Sequence, residues 1–583
     1  KMKIGFINAI FTNKLDSFPI GLVSLCTVLQ SKGVSAQIVD FTKLDVNDII
    51  PKEGFSYNYI NKCAEIICSE GFQVVSFYTM ANSYHISIKI AERVKAINPD
   101  CVVIFSGPQA SVCGEETLRC FPFIDIVALG EGESTVYDTV VNASKRNYEK
   151  CPSAIIRHGD STVQTDIAPY IEDLDSLPYL DYAFVPYVSQ FKAFPIEVGR
   201  GCPFHCKFCS TKGFWKKKYR LKSSSRIIEE IKEIQRLFGI NKFQFEHDSI
   251  TANRKTIVTF CNDLINNNLD ITWGCSSRVD VLDGELINLL SKAGCRAMFL
   301  GIETGSSAMQ KEINKNLRLE RVLPIISLLK KSDIEITCSF IYGFPNETVS
   351  DLTQTLKLIS DLIAAGVKNI QIHKLTILRG TEFYETYKNS LVKSNLTNNF
   401  NAGGDGRYFA AFIKQYPTLF PHFFGTESIS YSVTYIECFV NNVLRLMVSH
   451  YPNTYRLLML QYECNIFRLY QDMEKCCEAL EKESYALLNG ALTNRYMMNR
   501  LAETLKELYF VRFWEGAFIN EMFMFESDYL EWLTHPNEIF AKKYHYDLFD
   551  FIVNGKDANP PKCETLIGIE MQNQRVFMQR LSS

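Results

Sequence analysis

The chain has 583 residues, too many for one ordinary core and enough for three or four domains at ~150 residues each. Its net charge of -3 gives no reason to expect bulk nucleic acid as a partner. No apolar stretch approaches the ~20 residues of a membrane span. The opening "KMKIGFINAIF" runs straight into a strand, without a secretory signal's apolar core and cleavage site, so the chain reads as cytoplasmic. Nineteen cysteines do not make it a secreted disulfide scaffold, because such scaffolds are short domains unable to build a core. Most stand singly in apolar runs, as Cys26, Cys261 and Cys338 do, where a free thiol behaves as a small hydrophobe.

The first 150 residues alternate β-branched runs with helical patterns. "KIGFINAI" is a strand, and "PIGLVSLCTVLQSKG" a helix opened by Pro19 and closed by Gly33. Strands "SAQIVDF", "FQVVSFY", "CVVIFSG" and "IDIVALG" follow. The first two are separated by an irregular excursion, the rest by helices "SYHISIKIAERVKAINP" and "GEETLRCF". Apolar strands separated by helices mean a doubly wound, Rossmann-like parallel sheet over 1–150. Ligands bind such sheets beyond the carboxyl ends of the strands, where small residues gather: Asn8-Ala9, Ser76, "SGPQAS" from Ser106 and Gly107 through Gln109, and "GEGES" with Gly130, Gly132 and Glu133. Residues 151–190 read as a linker containing one hairpin, "SAIIRHGDSTVQT".

From 191 to 400 a second alternation supplies strands at 195–199, 242–248, 271–277, 297–303, 336–344 and 369–375. Helices fall at 225–238, 254–268, 284–293, 319–331 and 348–364. Six such units predict a partial TIM-type (β/α)6 barrel, with chemistry at the carboxyl ends of its strands. There stand Cys202, Cys206 and Cys209, then His247 and Asp248, Ser277, Arg278 and Asp280, Glu303, "YGFP", and His373 with Lys374. Residues 401–583 are rich in Tyr, Phe, Leu and Met, as in "TYIECFVNNVLRLMVSHY" and "TNRYMMNRLAETLKELYFVRFWEGAFINE". They predict a mostly α-helical C-terminal domain whose apolar stripes are core.

The cysteines of "GRGCPFHCKFCS" are spaced C-x3-C-x2-C. Structural zinc wants four ligands, usually in two knuckles, and a second knuckle is absent. His205 lies inside the same tight loop. A disulfide would strand one thiol in a reducing compartment. An iron–sulfur cluster held by thiolates on three irons, with one iron left open, fits best. The run "KKKYRLKSS" behind it reads as a solvated face that attracts anionic ligands.

C-x3-C-x2-C in the first loop of a six-unit barrel resembles the signature of the radical S-adenosylmethionine (radical SAM) enzymes. "SGPQASVCGEETL" and "DIVALGEGE" are similar to the cobalamin-binding module that precedes the barrel in one branch of them. "FEHDSITANRK", "WGCSSRVD", "FLGIETGS", "SFIYGFPNET" and "HKLTILRGTEFY" resemble that branch's barrel motifs, so the likeness runs over about 1–385. It implies that Cys202, Cys206 and Cys209 ligate a 4Fe-4S cluster whose open iron binds S-adenosylmethionine. Phe208 would pack near the adenine, Arg278 pair with the methionine carboxylate, Glu303 accept from ribose hydroxyls and Asp248 face the amino group. Ser277 would line the same pocket. Cobalamin would lie over Ser76, Ser106, Gly107, Gln109, Gly130, Gly132 and Glu133, although the D-x-H-x-x-G motif that offers histidine to cobalt elsewhere is absent.

The activity implied by the resemblance is that of a C-methyltransferase. A 5′-deoxyadenosyl radical would activate a carbon of a peptide or natural-product precursor, and methylcobalamin would supply the methyl group. An external electron donor of flavodoxin or ferredoxin type would reduce the cluster. A cyclisation, rearrangement or epimerisation with the same cofactors is the rival, and a non-catalytic cofactor carrier the third reading. A purely structural Rossmann-like module remains open for domain one. A dinucleotide does not fit, since no G-x-G-x-x-G follows the first strand.

Overall fold

The computed structural model describes residues 2–9, 18–41, 57–188, 191, 193–216, 218–393, 408–426, 439–466, 468–473, 518–533, 540–546, 548, 552, 562–572 and 575–581. Two parallel sheets dominate it. The first holds β1 (Lys3–Asn8), β2 (Ser35–Asp40), β3 (Val74–Tyr78), β4 (Val102–Ser106), β5 (Ile126–Ala128) and the hairpin β6 (Ala154–His158) and β7 (Ser161–Gln164). Their order is β2-β1-β3-β4-β5-β6-β7, with the first five parallel and the hairpin antiparallel at one edge.

Side chains alternate between two buried faces. Ile4, Phe6, Val74, Val102, Ile104 and Ile126 form one core, while Ile7, Val75, Phe77, Val103, Phe105 and Val127 form the other. A sheet buried on both faces needs apolar residues at every position, which is why these strands read as continuous hydrophobic runs. The chain order reverses between β1 and β3, the crevice where open sheets of this kind take their ligands. The excursion after β2 contains a helix, Tyr57–Ser69, that the sequence pattern did not reveal. It follows directly on an irregular stretch of the sequence.

The second sheet holds β8 (Phe194–Glu197), β11 (Lys242–Glu246), β12 (Thr272–Ser277), β13 (Cys295–Glu303), β14 (Glu335–Tyr342) and β15 (Asn369–Lys374), all parallel and in that order. Each strand pairs with the next, as in a partial barrel. One alternate set of side chains (Phe243 and Phe245, Trp273, Met298 and Leu300, Cys338 and Phe340, Ile370 and Ile372) packs in one core with helices Ser224–Phe238, Arg254–Asn266, Gly284–Lys292, Val322–Lys331 and Val349–Ala364. The other set, including Glu197, Glu246, Ser276, Phe299 and Gly301, is left for a cavity. Side-chain caps start most of these helices: Ser223, Asn253, Asp283 and Thr348 each accept a backbone N–H of the first turn. A short antiparallel ribbon, β9 (Gly199–Arg200) with β10 (Arg220–Leu221), frames the cysteine loop.

Residues after 400 join cores already formed. Phe409, Ile413, Leu419 and Phe420 pack on the first sheet's helices. Met447, Tyr455, Leu458, Met522 and Phe523 extend the barrel's outer core. Helices Arg445–His450, Pro452–Gln461 and Phe518–Trp532 are accompanied by small strands: β16 (Leu391–Lys393) with β17 (Phe424–Thr426), and an antiparallel sheet of β18 (Phe540–Tyr546), β19 (Lys562–Gln572) and β20 (Arg575–Leu581). The sheet β18–β20 was not anticipated within a region read as mostly helical. Most of the long pattern at 493–521 lies outside the described residues.

Trp273 anchors the barrel core. Its ring stacks on Phe245 at 4.8 Å and its Nε1 donates to the Ala293 carbonyl at 2.7 Å. Trp273→Ala is expected to lower the unfolding free energy by about 3–5 kcal/mol, read from the shift of the chemical denaturation midpoint. A loss below about 0.5 kcal/mol, the range of surface substitutions, would contradict this packing role.

Candidate functional site

One cavity of about 890 Å³ lies where the carboxyl ends of both sheets meet. Its wall takes Asn8, Tyr78, Ser106, Gly107, Gln109, Gly130, Gly132 and Glu133 from the first domain. From the second come Cys202, Cys206, Cys209, Phe208, Asp248, Ser277, Arg278 and Glu303. The predicted site residues thus share one space, except Ser76. That side chain lies inside β3 beneath the surface, its hydroxyl 3.2 Å from that of Ser106. His373 and Lys374, expected on the polar rim, also do not line this cavity.

The cysteine loop follows β9 and is fixed at both ends. Gly201 has φ +85, and a Cβ there would stand 1.8 Å from the Lys218 carbonyl, so no side chain fits. The Cys209 amide donates to the Cys206 carbonyl at 3.2 Å. All three thiols are free and half-buried. Burial pushes Cys202 up to about 11. Burial also raises Cys206, against which Lys315 and Arg278 stand as compensating cations. Among the described residues no three His, Cys, Asp or Glu side chains stand together as ligands of a single ion would. Three thiols set separately around one cavity, with cations beside them, are the donor set of a cluster that takes one thiolate per iron.

Arg278 is placed differently from the simplest expectation. Its Nε and Nη2 donate to Asp280 at 2.9 and 2.7 Å, and Nη2 also to the Lys315 carbonyl at 2.7 Å. The guanidinium covers the Phe204 ring at 3.9 Å. Nη1 is turned toward the Cys206 sulfur at 3.9 Å. Glu303, in the left-handed region at φ +71, accepts from Lys315 Nζ at 2.8 Å and leans over Gly301, where a Cβ would come within 2.4 Å of its carboxylate. Asp248 accepts from the Thr211 hydroxyl at 3.1 Å, and burial raises its carboxyl. Burial also raises neighbouring Glu246, with Asp248 adding to the effect. His247 is held neutral, lowered to about 4 by burial. Ser277 shares a hydrogen bond with Thr251 at 2.6 Å, and Phe208 packs against Phe344 with ring centres 5.9 Å apart.

On the opposite wall, Gly21 and Gly130 present bare backbone: nothing lies within 4 Å of where a Cβ would be. Side chains there would fill ligand space, so this wall fits a large, close-lying group such as a corrin. Gly107, at φ +95, brings the backbone against Thr79 and starts the helix Pro108–Cys120. Gln109 is spent elsewhere, donating to the Leu419 carbonyl at 3.2 Å. Glu133 is likewise engaged. Burial works to raise its carboxyl, but Arg200 overrides this and holds it low.

Sequence reasoning missed Glu131, Glu197, Arg200, Lys315 and Arg379, all of which line the cavity. The available signal was an arginine within the apolar run "PIEVGRG". A charge interrupting a buried strand needs a partner.

A B12 binding domain model matches residues 9–140 and a Radical SAM superfamily model residues 196–359. An uncharacterized methyltransferase of Pyrococcus horikoshii is 27% identical over 373 residues, covering 63% of this chain and 78% of the relative. The anaerobic magnesium-protoporphyrin IX monomethyl ester cyclase of Rubrivivax gelatinosus is 31% identical over 281 residues, covering 46% of this chain and half of the cyclase. Among solved structures, the cobalamin-dependent S-adenosylmethionine radical enzyme OxsB, with aqua-cobalamin and S-adenosylmethionine bound, shares the fold. Its TM-score is 0.61 at 12% identity, over 87% of this chain and 84% of OxsB. Among the described residues no helix is long and apolar enough to cross a membrane. The two domains bring with them a 4Fe-4S cluster, S-adenosylmethionine and cobalamin. The chain thus sets a B12-binding domain ahead of a radical SAM domain, and both open into one cavity.

Proposed function

We propose that this protein is a C-methyltransferase that methylates an unactivated carbon of a peptide or natural-product precursor. The observation that carries the reading is the shared cavity: the cysteine loop and the glycine-lined wall of the B12-binding domain face the same space. When bound, the cluster with S-adenosylmethionine supplies homolytic hydrogen abstraction, and the corrin supplies a transferable methyl group.

The chain's own residues bind, orient and exclude water. Cys202, Cys206 and Cys209 hold the cluster, and Lys315 and Arg278 balance the negative charge of its thiolates. Asp248, just after β11, and Glu303, at the end of β13, offer acceptors to the amino group and ribose of the nucleoside. Phe208 gives its adenine a flat neighbour. Gly21 and Gly130 let the corrin approach the backbone. Phe204, Phe214, Trp215 and Phe299 line the space between, and such apolar walls keep water from reactive groups while fixing substrate geometry. Reducing equivalents come from an external donor of flavodoxin or ferredoxin type.

A second reading keeps the cofactors and moves no methyl group, which the likeness to the Rubrivivax cyclase favours. Incubation with methyl-labelled S-adenosylmethionine separates the two. Label in the product supports methyl transfer, whereas a cyclised product with no added methyl group, formed as 5′-deoxyadenosine is released, supports the cyclase-type reading and overturns the first.

Cys206→Ala is expected to lose the cluster's visible absorption and all cleavage of S-adenosylmethionine while keeping the wild-type circular dichroism spectrum; full cleavage by this variant would refute the ligand assignment. Arg278→Gln keeps hydrogen-bonding groups but removes a positive charge directed at the Cys206 sulfur. Charge and hydrogen bonds at cluster sulfurs set the potential. The variant's midpoint potential, from a redox titration followed by EPR, is therefore expected to fall below that of the wild type. An unchanged or higher potential would show that Arg278 does not act on the cluster.

A further inference from the structure

One buried guanidinium ties together the two loops that serve different cofactors. Arg200 stands two residues before Cys202, and all five of its N–H groups are used. Nε and Nη2 donate to Glu197 at 2.9 and 3.0 Å, and Nη2 also to Glu133 at 2.6 Å. Nη1 donates to Glu131 at 2.8 Å and to Glu133 at 3.3 Å. Glu131 and Glu133 belong to the loop after β5, on the B12-binding side, 69 and 67 residues away in sequence.

The surroundings reinforce the tie. Arg200 and Arg220 are direct partners across the β9–β10 ribbon, so their side chains leave the same face. Arg220 Nη1 donates to both Glu131 oxygens, at 3.0 and 2.8 Å, and to the Ile171 carbonyl of the connector at 2.5 Å. The Trp215 ring lies 5.8 Å from one guanidinium and 5.5 Å from the other. Glu131 also accepts the Ile171 amide at 2.8 Å, and Glu133 the Ser24 hydroxyl at 3.0 Å. The side chains of Arg200, Arg220, Glu131 and Glu133 are each 6% exposed or less.

Such a group is poorly explained by stability. Desolvating several charges costs so much that apolar side chains of similar size hold a seam as well or better. What a charged fork adds is direction, since parallel N–H···O bonds fix both separation and angle where an apolar contact can slide. The backbone on either side is pinned close by. Gly201 next to Arg200 has no room for a Cβ, and a Cβ on Gly132 between the two glutamates would stand 2.8 Å from Leu25. Displacement of the ion group therefore passes directly to Cys202 on one side and Gly130 on the other.

We propose that Arg200, with Glu131 and Glu133, is a positioning lock that sets the spacing and angle between the cobalamin-bearing loop and the cluster-bearing loop. It touches no reacting atom. The inference rests on the functional reading above, because only a cofactor on each loop gives that spacing a purpose.

The test needs no substrate. Reconstituted protein carrying both cofactors is reduced so that cob(II)alamin and the cluster are paramagnetic, and their dipolar coupling is measured by pulsed EPR. Wild type is expected to give one narrow distance distribution. Arg200→Lys keeps the charge but loses the fork, and is expected to broaden or displace that distribution with both cofactors still at full stoichiometry. Glu133→Gln, which keeps the shape and removes one charge, is expected to do the same and decides the matter if Arg200→Lys cannot be loaded. An unchanged distribution in the variants that load would overturn the lock. Loss of both cofactors from both variants would also overturn it, since a group that only positions leaves each loop able to hold its own ligand. Wild-type protein that takes up no cobalamin would sink the functional reading itself, before any variant is made.

Discussion

Two parallel sheets point their carboxyl ends into the same cavity, and the buried charged groups on that rim must be satisfied by protein rather than by water. This constraint shapes the whole site. Loops at the carboxyl ends of strands are where α/β proteins place polar side chains. Facing two such edges together concentrates charge where solvation is poor, and an unpaired ion there is costly. The wall answers with fixed pairs. Arg200 holds Glu131, Glu133 and Glu197, Arg278 holds Asp280, Lys315 holds Glu303, and Arg379 reaches Glu116 at 3.1 Å. Dipoles and charges set in place before a ligand arrives need no reorganisation when it does. The pairing that makes burial tolerable therefore also makes the site pre-organised.

Local features were legible in the sequence and long-range ones were not. Both sheets follow from periodicity, because an apolar strand and an amphipathic helix each declare themselves within about ten residues. The five helices between the barrel strands were placed within three residues of their observed starts by their amphipathic pattern, and side-chain caps at Ser223, Asn253, Asp283 and Thr348 start four of them. The cysteine loop was legible because its three thiols lie within eight residues. The helix Tyr57–Ser69 was not, as it follows an irregular stretch that hid its start. The strands β18–β20 were missed because their cross-strand pairing is non-local, and β-propensity alone is a weak guide.

The site residues divide along the same line. The glycines and thiols expected at the site stand on the cavity wall, because their placement follows from the local chain alone. Charged residues were harder to place, because a charge takes its role from its partner, and the partner is usually distant in sequence. Glu133 looked free to meet a ligand and is instead occupied by Arg200 and Ser24. Arg278 looked like a fork for a carboxylate, and Asp280, two residues on, already occupies that fork. What Arg278 keeps for the cavity is one N–H directed at a cysteine sulfur. A guanidinium already committed at two nitrogens is fixed in direction, so its remaining donor is aimed more tightly than that of a free side chain.

The tail extends the same logic to the outside of the molecule. Its first described segment, 408–426, packs Phe409, Leu419 and Phe420 onto the B12-binding domain. Its later helices pack on the barrel's outer core through Met447, Tyr455 and Phe523. Contacts at the seam reach this segment: Gln109 donates to the Leu419 carbonyl, and Glu116, which pairs with Arg379 of the barrel, also accepts the Thr418 hydroxyl. A chain anchored on both halves raises the effective concentration of each for the other. The polar contacts at the seam then need to specify only alignment, because apolar contacts bring the halves together: the tail on each half, and Phe18 of the first domain against Phe194 of the barrel at 5.0 Å. Binding strength and geometric precision thus come from different residues, which lets the rim of the cavity stay polar without the two domains coming apart.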